Sequence, residues 1–183
     1  MGGSGRTGVN LRGLDVNESH LQQLKLFRAL KYLDLSATPI TDESLRYLKD
    51  LSRLEWLWLS RTHVSDAGLV YLHGLENVTW LRLDETQVTG AGLVHLKGME
   101  SLERLILTNT RVADQGLVHL RRLPRLQSLG LRGTGITDNS LIHLTQMPQL
   151  KLLDVTGTRV TDAGVKELQQ ALPSLTISRI GVL

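Results

Sequence analysis

The chain has no cysteine among its 183 residues, which excludes a disulfide framework, a thiolate metal site and a cysteine nucleophile. Aromatic residues are scarce too, at 4%: three tryptophans, three tyrosines and one phenylalanine. Any core must therefore be aliphatic, and the 41% of hydrophobic residues is rich in leucine. No apolar run approaches the ~18 residues that a membrane-spanning helix needs. The opening Met-Gly-Gly-Ser-Gly lacks the apolar centre of a signal peptide. Residues 1–5 read as an artificial linker ahead of a single domain over 6–183. The net charge of +3 and pI of 9.4 are too mild a surplus to point to nucleic acid. There is no glycine-rich phosphate loop after a strand, no HExxH and no nucleophile elbow. The chain is therefore expected not to be an enzyme and to hold no cofactor or metal.

What the chain does have is a repeat. Leu33, Leu57, Leu81, Leu105, Leu129 and Leu153 are 24 residues apart, and so are Thr38, Thr62, Thr86, Thr110, Thr134 and Thr158. The unit reads L-x-x-L-x-L-x-x-T-x-[IV]-T-D-x-G-L-x-x-L-x-x-L. A fixed period of this length means a solenoid, because one unit is too small to hold a core and must stack on its neighbours.

Within one unit, Leu57 and Leu59 alternate with Trp56, Trp58 and Ser60, the period of two that marks a strand with one buried face. Thr62 is expected to point inward at the following turn and to satisfy backbone groups of neighbouring loops. Ser65-Asp66 offers helix-capping chemistry, and Leu69, Leu72 and Leu75 form an i, i+3, i+6 stripe. Asp42, Asp66, Asp114, Asp138 and Asp162 read as caps. Gly90 and Ala113 break the capping columns, which predicts two weaker helix starts. The small residues Ser44, Gly68, Gly92, Gly116, Ser140 and Gly164 share one column and imply close approach of adjacent units. The predicted fold is α/β: a right-handed curved array of about seven parallel strands on the concave side and short helices on the convex side.

This pattern resembles a leucine-rich repeat. The T-x-[IV]-T-D-x-G-L version resembles bacterial repeats of that family and is similar to the cysteine-containing repeats of F-box proteins, with Thr38 and its equivalents where that subfamily has Cys. The resemblance covers nearly the whole chain and implies the solenoid fold. It leaves function open, since the family serves many unrelated binding tasks. Residues 6–29 are a degenerate first repeat, with Leu14 in place of the Thr and Glu18 in place of the Asp. Regular repeats fill 30–173, and 174–183 form a capping segment in which Ile177, Ile180, Val182 and Leu183 could build a last strand.

Function is expected on the concave sheet, where the residues between the leucines face outward. The first column is Tyr32, Trp56, Trp80, Arg104, Ser128 and Leu152. The second is Asp34, Trp58, Arg82, Ile106, Gly130 and Asp154. The third is Ser36, Ser60, Asp84, Thr108, Arg132 and Thr156. All three tryptophans fall in these columns. With strands about 4.8 Å apart, Trp56 lies between Tyr32 and Trp80, Trp58 lies between Asp34 and Arg82, and Arg104 can stack on Trp80. Trp, Tyr and Arg dominate interface hot spots. Tyr32, Trp56, Trp58, Trp80, Arg82, Arg104 and Ile106 are therefore the expected surface for a protein or peptide ligand, with side chains substantially exposed. The competing reading is that cross-strand aromatic pairs merely stabilise the sheet.

Other constellations read as structural. His95, His119 and His143 follow Tyr47 and Tyr71 in one column and suit a helix flank, since adjacent helices lie too far apart for a metal ladder. Arg121, Arg122 and Arg125 suit a solvated edge. Asn17-Glu18-Ser19 and Asn77-Val78-Thr79 match the glycosylation sequon. No nucleic-acid or membrane partner is expected, and a monomer is expected over a homo-oligomer. The alternative is a structural or self-assembling segment of a longer scaffold or surface protein, with an engineered origin also compatible.

Overall fold

A computed structural model describes residues 7–179. The 1–5 linker, and Ile180, Val182 and Leu183 of the proposed last strand, lie outside the described residues. Each unit contributes three residues to one parallel sheet in strict chain order: β1 (Gly8–Asn10), β2 (Tyr32–Asp34), β3 (Trp56–Trp58), β4 (Trp80–Arg82), β5 (Arg104–Ile106), β6 (Ser128–Gly130), β7 (Leu152–Asp154) and β8 (Thr176–Ser178). That is one strand more than expected, because the segment around Ile177 pairs with β7. Register follows the 24-residue offset, so Leu33, Leu57, Leu81, Leu105, Leu129 and Leu153 lie side by side beneath the sheet. All six are 2% exposed or less.

The return segments are helical, but several are 3₁₀ rather than α. Asp42–Leu48, Ala91–Gly98 and Asp114–Arg122 are 3₁₀ throughout, whereas Asp138–Leu144 and Asp162–Ala171 are α. Apolar spacing permits the tighter form without requiring it, since the α segment has the same spacing at Leu141, Leu144 and, just beyond its end, Met147. Leu93, Leu96 and Met99, all buried, recur every three residues, and a helix of three residues per turn sets such residues in one line against the core.

Two features of the turn after each strand hold the units. The Thr ladder is buried from Thr38 to Thr134, but each hydroxyl donates within its own turn, not to a neighbouring loop. Thr62 Oγ1 reaches the Leu59 carbonyl, Thr86 the Leu83 carbonyl and Thr110 the Leu107 carbonyl, each at 2.7 Å. One residue earlier the backbone is left-handed in every repeat: φ lies between 54° and 57° at Ala37, Arg61, Glu85 and Asn109, and is 67° and 68° at Gly133 and Gly157. A side chain in this region is strained by roughly 1–2 kcal/mol, so four repeats tolerate a cost that glycine would remove.

The aspartates are not caps of their own helices. Asp42 Oδ1 accepts the Ser65 backbone N–H at 2.7 Å and its Oδ2 accepts the Ser65 hydroxyl at 2.6 Å. The same two-point clamp joins Asp66 to Thr89, Asp114 to Thr137 and Asp138 to Thr161. Burial alone would raise the Asp114 carboxyl. The hydrogen bonds from Thr137 and Ser140, with the Arg159 charge, outweigh it and hold the group below the usual carboxylate range. Gly90 and Ala113 are thus the two halves of one missing clamp, not two independent weak starts. There the backbones close up instead: a Cβ on Gly90 would lie 2.7 Å from the Gly116 Cα. The clamp also explains the column of small residues, since a Cβ on Gly68, Gly92 or Gly164 would collide with the aspartate of the preceding unit. Asp162 pairs with Arg179.

Candidate functional site

The alternation in each strand leaves Tyr32, Trp56, Trp58 and Trp80 on the open face, and register brings them together. Their rings form a closed quartet of edge-to-face contacts. Tyr32 meets Trp56 at 6.0 Å and Trp58 at 5.1 Å between centroids, and Trp80 meets both Trp56 and Trp58 at 5.3 Å. Edge-to-face packing brings the positive edge of one ring to the negative face of another. Arginines extend the cluster: the Arg82 guanidinium carbon lies 5.4 Å from the Trp58 ring centre, and that of Arg104 lies 5.2 Å from Trp80. Ile106 is in register with Arg82.

Exposure differs from the expectation. Of the seven residues, only Arg104 is exposed; the rings, Arg82 and Ile106 are half-buried. The rings are large enough to cover one another across 4.8 Å strand spacings, which a column-by-column reading of the sequence does not reveal. Both the Trp58 and Trp80 indole N–H groups are buried without an acceptor among the described residues.

Polar residues that the alternation alone did not single out brace this cluster. Ser60 donates to Asp84 Oδ2 at 2.7 Å and Arg82 Nε reaches the same oxygen at 3.0 Å, so Asp84 holds Arg82 beside Trp58. The Tyr32 hydroxyl donates to Asp34 Oδ2 at 3.3 Å. Burial, and then the Asp34 charge and hydrogen bond, push the Tyr32 phenol up to about 12. The 24-residue spacing from Ser60 to Asp84 was visible in the third column, but a serine and an aspartate in one column carry no signal until side chains meet.

The remaining constellations are placed by the fold. His95, His119 and His143 are half-buried on the helical flank, beside Tyr47 and Tyr71 in the same column. Arg121, Arg122 and Arg125 are exposed at the edge. Both sequon asparagines are engaged: Asn17 accepts the His20 N–H at 3.2 Å, and Asn77 Nδ2 donates to the Ser52 carbonyl at 2.8 Å.

A leucine-rich repeat family model matches residues 28–49 and 146–168. Among solved structures, internalin C2 of Listeria monocytogenes is similar with a TM-score of 0.78 and 25% identity, over 94% of this chain and 70% of that one. Internalin F of the same organism is similar with a TM-score of 0.77 and 19% identity, over 96% of this chain and 48% of that one. No curated protein matches. The unbroken 24-residue period, the sheet in strict chain order and these likenesses agree: the chain folds as a leucine-rich repeat solenoid.

Proposed function

We propose that this protein is a non-catalytic binding module that recognises a protein or peptide through the aromatic and arginine patch of its concave sheet. The patch comprises Tyr32, Trp56, Trp58, Trp80, Arg82, Arg104 and Ile106, on one domain spanning 6–183. The leucine-rich repeat fold is commonly a protein-interaction module, and no nucleic-acid or membrane partner is invoked. The observation that carries the reading is the ring quartet with its two unmet indole donors. An unmet buried donor costs roughly 1–3 kcal/mol. Phenylalanine would bridge the strands without that penalty, so rings serving the sheet alone have no reason to be tryptophan.

The test is selection of ligands from a random peptide library on the intact chain, followed by binding to Trp56→Ala/Trp80→Ala. The double variant removes three ring contacts, so it should lose about 2–4 kcal/mol of stability, more than exposed rings would cost. Binding is therefore compared at a temperature where circular dichroism shows both proteins folded. Loss of binding by the folded variant supports the reading, and undiminished binding makes the quartet a structural element. One observation favours a second reading, self-association at the chain's first repeat: Leu14, Leu26 and Phe27 are 55%, 74% and 48% exposed there. The sedimentation coefficient, followed over a concentration series, decides between monomer and assembly.

A further inference from the structure

The open face is uneven in height. β3 and β4 carry Trp56, Trp58 and Trp80, whereas β6 carries only Ser128 and Gly130. On β7 the side chains rise again at Leu152, which is 53% exposed. Gly130 lies in register between Ile106 and Asp154, and a Cβ there would sit 3.2 Å from the Ile106 side chain. Gly130 is itself buried, with the Ile106 side chain taking the space over it, so the notch lies over Ser128, walled by Arg104 on one side and by Leu152 on the other.

Charge on this face is unbalanced as well. Each of its carboxylates is engaged within the protein. Asp34 takes the Ser36 N–H and the Tyr32 hydroxyl, Asp84 takes Ser60 and Arg82, and Asp154 takes the Thr156 N–H. Arg104 and Arg132 are both exposed, and neither pairs with a carboxylate among the described residues. A guanidinium stacked on an indole, as Arg104 is on Trp80, keeps its in-plane donors available for a carboxylate. Two exposed guanidiniums thus stand against the single half-buried carboxylate of Asp154, and the rim of the notch is cationic on balance.

We infer that the notch over β6 receives one aliphatic side chain of an extended acidic peptide segment, whose flanking carboxylates pair with Arg104 and Arg132. This rests on the sheet face being the binding surface. Complementary charge sets specificity and association rate as well as affinity, so the inference concerns which ligands are chosen.

A random peptide library selected on the intact chain tests it, with binding then measured to Arg104→Gln/Arg132→Gln, to Ser128→Leu and to Trp56→Ala/Trp80→Ala. Recovered peptides should be rich in Asp and Glu beside Leu or Ile. Their binding should weaken as salt is raised, and on the order of tenfold or more in the arginine double variant, measured where circular dichroism shows it folded. Ser128→Leu, which fills the notch, should weaken the same peptides. Neutral or basic peptides that need the tryptophans but ignore the arginines would overturn the acidic-ligand inference and leave the surface standing. Peptides indifferent to both double variants would overturn the surface itself, and an empty selection would overturn the inference of a linear segment.

Discussion

Tyr32 is caught between burial and the Asp34 carboxylate, both of which disfavour its phenolate, and its pKa is pushed from 10.0 to about 12. Its folded value thus exceeds its unfolded one. The stability it contributes is fully present below pH 10 and is lost as pH rises toward 12. A spectrophotometric titration should show a tyrosinate phase near pH 12 that Tyr32→Phe removes. If Tyr32→Phe instead removes absorbance near pH 10, where an unperturbed tyrosine ionises, the Asp34 contact is not formed. At Thr110 the hydroxyl meets the Leu107 carbonyl at 2.7 Å in a site only 6% exposed. Thr110→Val keeps the shape and strands the carbonyl, which should cost ~1–3 kcal/mol in a denaturant titration. Gly157, at φ 68°, has room for a Cβ, which would meet nothing nearer than the Gly133 backbone nitrogen at 3.8 Å. Gly157→Ala therefore isolates the backbone penalty, roughly 1 kcal/mol. An equal midpoint for variant and parent would remove strain as an account of the left-handed column.

Between elements, the clamp from each aspartate to the next unit is the repeated joint of the array. Because Asp66 and Thr89 face each other at 2.6 Å, their contributions should not add. A double-mutant cycle with Asp66→Ala and Thr89→Ala should give a coupling of about 0.5–3 kcal/mol. Asp66→Ala paired with Thr137→Ala, which touches a different clamp, should give none beyond experimental scatter. Additive behaviour within the facing pair would show that each residue acts only inside its own unit.

The whole molecule is a linear array, so position along it decides what a side chain is worth. Phe27 and Leu51 share one column, yet Phe27 is 48% exposed at the first repeat and Leu51 is 1% exposed one unit later. Leu51→Ala should cost ~2–5 kcal/mol, and Phe27→Ala clearly less despite the larger side chain. Since each unit touches only its neighbours, end units open first. Amide exchange should accordingly be slowest around β3 to β6 and fastest around β1, a gradient that mass spectrometry of exchanged peptides reads directly. Uniform protection along the chain would mean that the array opens only as a whole.

The periodicity determined the architecture by itself. A leucine every second residue in the strands and every third in the helices specifies which faces are buried, and a 24-residue offset specifies who neighbours whom. That is why the strands, the parallel order, the buried threonines and the grouping of Tyr32 with the tryptophans could be read from residue types alone. Tertiary structure decided what depends on reach and orientation across units. Ring size closed the tryptophans into a half-buried quartet instead of an exposed row. The short aspartate side chain turned expected caps into clamps on the following repeat, and so joined Gly90 and Ala113 into one gap. The segment around Ile177 became a strand because β7 offered it an unpaired edge. The left-handed residue of each turn was equally invisible, since Ala37, Arg61, Glu85 and Asn109 share a backbone conformation and no side-chain chemistry. Spacing records which residues share a face; contact between faces is settled only when side chains of definite length meet in space.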